Sequence, residues 1–524
     1  MSIKWFISVA FVATLVACSD KESGQHNESE ASGSHLISGR DSTHLSVTVV
    51  ASNLDVPWEI VWGPDNWIWY TEQSGSISKV NPETGERKLI LRILPQVYRW
   101  GTRGLLCMAL HPDFGNQPYV VVNYHYMRDR YVKDIWSRWV RYTYDGETLK
   151  DPLILFEETA EAGHNGSRVT FAPDGKIIIA NGDGDNKNDE LNSGVAQNME
   201  MFGGKVLRFN LDGTIPDDNP FPESPVWALG FRVPQGLVFG PHGNLYSAEH
   251  GNNNDDEINL VRKGYNYGYP NVAGICDQPR ELEFCKKHKV EPPIKAWTPT
   301  IAPSGMDYYP HNAIPEWNNA LLVATLKTQS LRVLTLNEAG DQVVKERVYF
   351  TEMFGRIRDI CVSPEGDVYI STSNRDWNPV AGYPKEKDDR ILKISARKGK
   401  DVIPVFGENA LSSVSAGNQN REESPGSIVY KNYCASCHKD DGGGVPKTFP
   451  ALNTSARVHG EKDELIRVLL QGLNDGRYEA GMPAFTFLSD DQIADVTAYV
   501  HQTFAKKNTR VTPDDVAKIR AALR

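Results

Sequence analysis

The sequence predicts an all-β chain that closes into a six-bladed β-propeller, followed by a small all-α domain. Three observations predict this. A strand, turn and strand unit recurs six times, the copies lie about 60 residues apart, and the periodicity turns helical near the C-terminal end.

The clearest copy runs from Ala162 to Asp183. Its Pro173-Asp174-Gly175 turn separates two runs rich in branched residues, the pattern of a hairpin. The continuous Ile177-Ile178-Ile179 run predicts a strand covered on both faces. A histidine, His164, leads the unit, where a polar side chain lines a cavity at one end of the fold. The other copies lie at Ile60 to Tyr70, Leu105 to Tyr124, Gln235 to Glu249, Ser304 to Leu326 and Ile360 to Ser371. Later strands follow in register at 75–80, 204–209, 331–336 and 390–394. A unit that cannot bury its own faces is stable only when neighbours cover them, so the copies predict a closed propeller over 44–405.

The flanks differ in kind. Met1 to Lys4 is short and positive and Trp5 to Ala17 is apolar, which predicts a secretory signal over 1–17 and not a membrane span. Leu15-Val16-Ala17-Cys18 resembles the lipobox of bacterial lipoproteins, implying a lipid on Cys18 and an anchor at the periplasmic side of a bacterial membrane. Residues 18–43 are polar with little to bury and read as a tether, and 406–424 as a linker. In the helical domain, 425–505, Ser489 opens a capping box with Gln492. Beyond it, Ile493, Val496, Val500 and Phe504 share one helical face. Residues 506–524 read as a C-terminal tail.

With 524 residues, 40% hydrophobic and 23% charged, the chain is long enough for two or more ordered domains. A net charge of -11 and the lack of a basic stripe interleaved with aromatics speak against a nucleic-acid partner. Of seven cysteines, Cys276 and Cys285 flank a polar segment and suit a local disulfide in an exported protein. Cys107 and Cys361 sit in apolar strands as buried thiols, with a bridge between adjacent elements left open.

Cys434-Ala435-Ser436-Cys437-His438 carries the sharpest chemistry. Two thiols across two residues attach a haem through thioethers, and the adjacent histidine supplies an iron ligand. Met482, between Gly481 and Pro483 ahead of the last helix of the domain, offers a sixth ligand that raises the reduction potential. Residues 425–505 resemble a class I cytochrome c domain, with haem c as its cofactor.

In the propeller, His164, Arg232, Lys327, Arg356 and Arg358 all fall at ends of repeat strands. Cations converging on one cavity suit an anionic ligand, and beside a haem they favour a redox cofactor bearing carboxylates. Further stretches then make a specific match. Leu54-Asp55-Val56-Pro57-Trp58-Glu59, Gly163-His164-Asn165, Phe231 to Leu237, Glu249 to Asn259, Asn266 to Gly274 and Arg356-Ile357-Arg358-Asp359 resemble the soluble glucose and aldose sugar dehydrogenases that depend on pyrroloquinoline quinone (PQQ) and calcium.

The resemblance implies that His164 takes the proton of the anomeric hydroxyl while hydride passes to the quinone. Arg232 would polarise the quinone oxygen, Lys327, Arg356 and Arg358 would hold the cofactor's carboxylates, and Gln235 matches a glutamine of the cofactor pocket. Backbone carbonyls at Gly251 and Asn252 match the ligands of the cofactor's Ca2+, and Asp256, Glu257 and the carbonyl of Tyr267 match a structural calcium site. Electrons would then pass to the fused haem and on to an external acceptor such as a soluble cytochrome or respiratory-chain component.

Two departures fall on the substrate side. Thr102 stands where the glucose enzyme has a glutamine, and Gly163 where it has an aspartate, so the reaction centre is kept while the sugar-gripping groups differ. Val233 replaces an asparagine near the cofactor, and the aromatic insertions at Tyr98, Trp100 and Tyr126 to Trp139 reshape the cavity. The same scaffold could oxidise another small alcohol or aldehyde. A carbohydrate-binding propeller with an inert cleft is the alternative outside enzymology, and it has no use for His164, Arg232 and the Arg356/Arg358 pair together.

Overall fold

The computed structural model describes residues 35–37, 43–93, 96–129, 134–160, 163–184, 194–252, 254–376, 378, 380, 382–397, 424–434, 438, 442–444, 450–473, 482, 484–485 and 488–523. The signal segment, Cys18, most of the tether and the linker lie outside them, as do Cys437 and Gly481.

Each predicted repeat is a blade of four antiparallel strands. Blade 3 shows how sequence becomes structure. Arg168–Phe171 pairs with Ile177–Asn181 across the Pro173-Asp174-Gly175 turn, where Gly175 takes φ +79°. Ile177, Ile178 and Ile179 are all buried, as a strand covered on both faces requires.

The apolar cores lie between blades. One cluster joins Trp69 and Ile77 of blade 1 to Met108 and Val122 of blade 2. Others join successive pairs, and the last joins Cys361 and Tyr369 of blade 6 back to Ile60 and Tyr70 of blade 1. Packing of this kind only completes itself in a ring.

The ring is closed by the N-terminal strand. His44–Ala51 pairs with Ile391–Arg397 as the fourth strand of blade 6, and His35–Ile37, within the segment expected to be a tether, adds a fifth. On the axis, Arg168 of blade 3 is paired with Glu59 of blade 1 and, at 2.8 Å, with Asp359 of blade 6. Its Nε donates to the carbonyl of Gln235 in blade 4 at 2.6 Å. One buried guanidinium thus ties four blades beneath the mouth of the propeller.

Cys276 and Cys285 form the expected disulfide, bracketing helix α1 (Pro279–Lys287). Cys107 and Cys361 are buried free thiols whose burial drives their pKa upward, and they are not bridged.

The C-terminal domain contains α2 (Pro425–Tyr433), α3 (Lys462–Gln471), α4 (Asp490–Phe504) and α5 (Pro513–Ala522). The capping box forms: Ser489 Oγ accepts from Gln492 N at 3.2 Å, and Gln492 Oε1 from Ser489 N at 2.9 Å. Helices α2 and α4 cross at Gly426, where a Cβ would sit 2.1 Å from the carbonyl of Asp495, so only glycine permits that approach. The residues expected to be a tail instead form α5, which buries Val516 and Ile519 against the domain core.

Candidate active site at the propeller mouth

Every blade's inner strand starts on the same face, so the segments entering those strands and those leaving the second strands share one mouth. His164 enters blade 3, Arg232 enters blade 4, and Arg356 and Arg358 begin blade 6. Glu249 ends a second strand, and Asp183 and Asp376 follow second strands.

His164 holds the left-handed conformation, φ +50°, uncommon for a residue with a side chain and frequent at working sites. Gly182 allows this, since a Cβ there would lie 1.9 Å from the His164 carbonyl. The imidazole is held at both nitrogens. Nδ1 lies 2.9 Å from Asp183 Oδ1, and Nε2 lies 2.9 Å from Nη2 of Arg232. A guanidinium has no acceptor and a carboxylate no donor, so this pattern places the imidazole proton on Nδ1, leaving Nε2 as the lone-pair nitrogen at the mouth.

Arg232 is fixed in turn. Its backbone N–H donates to Glu249 Oε2 at 2.7 Å, and Nη1 donates to the carbonyls of Gly251 at 2.9 Å and His250 at 3.3 Å. Asn252 Oδ1 accepts from Nη2 at 3.4 Å. The Gly251 segment is shaped by Asp256, whose carboxylate accepts from the backbone N–H of Gly251, Ile301 and Ala302 at 2.7, 2.6 and 2.6 Å.

A second cationic group lies alongside. Arg356 and Arg358, both buried, share one carboxylate oxygen of Asp376 at 3.1 and 2.5 Å. Arg358 also lies 4.0 Å from the centre of the Trp58 ring. Burial pulls the Arg358 pKa down to about 10, with Arg356 and Arg168 adding to the effect against Asp376. Burial would raise the Asp376 carboxyl, but Arg358 and Arg356 outweigh it and hold it below its ordinary value.

His250 links the groups. Its pKa is pushed down to about 3 by burial and then by Arg232, Arg358 and Arg356, so it stands neutral among three cations.

Two arginines on one carboxylate leave a net positive charge in a buried place. Nε of Arg232, Arg356 and Arg358, Nε2 of His250 and Oδ1 of Asp376 are buried without a protein hydrogen-bond partner. The three orphaned arginine Nε–H donors fit a ligand carrying several carboxylates, which is the character of PQQ, and the orphaned Asp376 oxygen is an acceptor left for a donor of that ligand.

Lys327 stands exposed at the same face, its Nζ donating to Thr300 Oγ1 at 2.8 Å. Gln235 is buried at the start of an inner strand. Thr102 Oγ1 accepts from Asn165 Nδ2 at 2.8 Å, which puts Thr102 against the residue that follows His164.

The structural calcium set is not gathered. Asp256 and Glu257 are neighbours on one strand and point to opposite faces, Asp256 to backbone amides and Glu257 to Glu249 and Asn259. Tyr267 packs on Phe231 with ring centres 4.6 Å apart. Among the described residues, no group of three or more His, Cys, Asp or Glu is arranged to hold a metal ion.

In the helical domain Cys434 caps α2, and His438 N donates to the Cys434 carbonyl at 2.9 Å, one helical turn on. His438 Nδ1 lies 2.9 Å from the carbonyl of Pro450. A carbonyl only accepts, so the proton sits on Nδ1 and Nε2 keeps its lone pair. Burial also lowers the His438 pKa, favouring the neutral ligand form. Met482 is half-buried against the core, its strand segment pinned by paired 2.8 Å hydrogen bonds with Leu473.

A propeller mouth that collects a hydrogen-bonded histidine and a cradle of cations, joined in one chain to a cytochrome c domain, marks an oxidoreductase built on the quinoprotein sugar dehydrogenase-like propeller. The chain belongs to the Glucose / Sorbosone dehydrogenase family, whose model matches residues 54–379, and carries a cytochrome c domain matched at residues 424–504. It is 33% identical over 416 residues to quinoprotein glucose dehydrogenase B of Acinetobacter calcoaceticus, covering 63% of this chain and 86% of that one. Identity to the aldose sugar dehydrogenase YliI of Escherichia coli is 29% over 367 residues, covering 67% and 93%. The PQQ-bound aldose sugar dehydrogenase of Streptomyces coelicolor superposes with a TM-score of 0.57 at 29% identity, covering 67% of this chain and 98% of that structure.

Asp183 and Asp376 were not singled out in the sequence. Both follow second strands, the position from which a side chain faces the mouth.

Proposed function

We propose that the chain oxidises an aldose at its anomeric carbon to the lactone, with PQQ as hydride acceptor, and that the electrons leave through the fused haem c to an external acceptor. The observation that carries this reading is the contact of His164 with both Asp183 and Arg232, beside two arginines that share one carboxylate.

His164 Nε2 takes the proton of the anomeric hydroxyl, exchanging its contact with Arg232 for one with the substrate. Asp183 keeps the ring oriented and stabilises the imidazolium that forms, as a buried carboxylate does for a general base. Arg232, freed from the imidazole lone pair, faces the negative charge that develops on the cofactor side. Arg356, Arg358 and Lys327 hold the cofactor's carboxylates, and Asp376 keeps the two buried arginines from repelling each other. The carbonyls of Gly251 and Asn252 are hard oxygen donors suited to Ca2+, and a carbonyl that accepts from Arg232 retains a second lone pair. Bound at this mouth, PQQ supplies a hydride-accepting carbonyl and calcium a Lewis acid.

In the haem domain, Cys434 and Cys437 would carry the thioethers, and His438 and Met482 would bind the iron. The signal and lipobox motifs support a lipid-anchored protein at the periplasmic side of a bacterial membrane, an arrangement that keeps the acceptor in reach.

Thr102 and Gly163 favour a second reading in which the substrate is another small alcohol or aldehyde. The test is to load the full chain with PQQ and calcium, supply a panel of aldoses and simple alcohols with an artificial acceptor, and identify products by mass. Conversion of an aldose to its lactone or aldonic acid, lost in His164→Ala, is expected. Oxidation confined to simple alcohols would replace the aldose by that class. Tight cofactor binding with no oxidation at all would overturn the enzyme reading.

A further inference from the structure

We propose that Arg520, on the C-terminal helix α5, is a positioning residue for the haem: by holding the far end of the loop that carries Met482, it keeps the thioether on the iron. This rests on the reading of Met482 as an iron ligand and deepens it.

The cytochrome c match ends at residue 504, and α5 lies beyond it at Pro513–Ala522. The helix is built into the domain all the same. Thr512 opens it with a capping box on Asp515, and the Asp515 carboxylate also pairs with the Lys462 ammonium at 2.6 Å, which ties α5 to α3. Val516 and Ile519 are buried in the cluster that includes Phe485 and Leu488, and Met482 packs against that cluster.

From the next turn of α5, Arg520 reaches the Met482 loop itself. Its Nη2 donates to the Leu488 carbonyl at 2.7 Å and its Nε to Asp490 Oδ1 at 2.8 Å. The two donors share one edge of the guanidinium, a fork that lysine lacks. Leu488 precedes Ser489, the N-cap of α4, so its carbonyl has no partner within that helix. The dipole of α4 disfavours a cation at this end. Helix electrostatics therefore does not account for the arginine, whereas its two acceptors do.

Among the described residues the loop is held at three points. Met482 pairs in both directions with Leu473 at 2.8 Å, and Phe485 N donates to the carbonyl of Leu469 in α3 at 2.7 Å. Leu488, six residues on from Met482, is held by Arg520. The first two points come from α3 and the residues just after it, and the third comes from α5. A thioether is an uncharged, soft ligand and a weak one for ferric iron, so the groups that fix its loop decide how fully it stays in place. Releasing Leu488 leaves the exit of the loop held only by its continuation into α4, and local opening becomes easier.

The test uses the full, haem-loaded chain in its ferric form and needs no turnover. It reads the thioether-to-iron charge-transfer band, the reduction potential and a titration with imidazole, which binds only where the thioether has left. The apparent affinity for imidazole therefore scales with the fraction of chains whose loop is open. Arg520→Ala should bind imidazole about tenfold more tightly than wild type, with a weaker band and a lower potential. Arg520→Lys keeps a charge beside Asp490 without the fork and should fall between the two. If Arg520→Ala fails to retain haem, the lysine variant carries the same comparison at smaller amplitude. Imidazole affinity and potential that match wild type in these variants would overturn the proposal. A lower thermal midpoint with both readings unchanged would do the same, since it would leave Arg520 a packing role only. If the wild-type chain itself shows no thioether band, the reading of Met482 as a ligand fails, and that result is distinct from the others.

Discussion

The Nδ1 atom of His164 lies 2.9 Å from Oδ1 of Asp183, whose side chain is fully buried, while Nε2 faces Arg232. The histidine and its carboxylate partner come from the two ends of one hairpin. Asp183 fixes the tautomer without touching substrate, so Asp183→Asn should lower kcat by roughly 10²- to 10⁴-fold with little change in KM or cofactor loading. The pH–rate profile should change as well, because the imidazolium loses its counter-charge. An unchanged profile with a modest loss of kcat would reduce Asp183 to a packing role.

Gly182 sets the position of the same histidine. A Cβ at this point would fall 1.9 Å from the His164 carbonyl and 2.9 Å from that of Asn165's carbon, both backbone atoms that cannot swing away. Gly182→Ala should therefore displace the His164 segment and cut kcat at least tenfold. The cofactor arginines in blade 6 are remote in sequence, and PQQ binding should hold. Wild-type turnover in this variant would show that the loop adapts.

Asp376 is paired with both Arg356 and Arg358. Asp376→Asn should destabilise the cofactor-free chain by about 3–5 kcal/mol, the cost of leaving buried charge uncompensated. Added PQQ should then raise the thermal midpoint more than it does in wild type, since its carboxylates restore the missing charge. Calorimetry with and without PQQ checks both halves. A smaller PQQ-induced rise would mean that the arginines do not face the cofactor.

Asp307 gives a signed pH dependence. Burial pushes its pKa up to about 7, against 3.8 for the free side chain, so the folded state keeps a proton that the unfolded state releases between those values. Bound protons are then more numerous in the folded state, and its share of stability falls as pH rises from about 4 to about 7, by at most about 1.4 kcal/mol per pH unit. Denaturant titrations across that window should give a flatter curve for Asp307→Asn than for wild type. Parallel curves would contradict the assignment.

Much of the fold was legible because each blade repeats a turn that only a few residues can make, such as Pro173-Asp174-Gly175. That the ring closes was legible too, but not which strands close it. His44–Ala51 pairs with Ile391–Arg397, and nothing in either strand's own pattern names so distant a partner. The short strand His35–Ile37 and helix α5 were hidden for a related reason: each is stabilised by docking on an existing element.

At the site, His164, Arg232, Arg356 and Arg358 were legible through the family's motifs, and the structure brings them to one mouth. Asp183 and Asp376 carry no motif. The signal that could have found Asp183 is pairing: Arg168 lies opposite Ala180, so continuing outward sets residues 164 and 183–184 side by side. Asp376 lies four residues past Thr372, the end of its strand, against two for Asp183 past Asn181, and no pairing register points to it. Asp256, by contrast, is assigned to a structural calcium through the family resemblance, and its carboxylate instead accepts from three backbone N–H groups.

The central claim is that one chain couples sugar oxidation at the propeller to its own haem. The most direct measurement is anaerobic stopped-flow absorbance of the full chain, oxidised and loaded with PQQ and calcium, mixed with aldose and no external acceptor. The prediction is appearance of the reduced-haem bands at a rate independent of protein concentration, abolished by His164→Ala with the haem intact. Sugar oxidation with a haem that stays oxidised, or reduction whose rate rises with protein concentration, would contradict it.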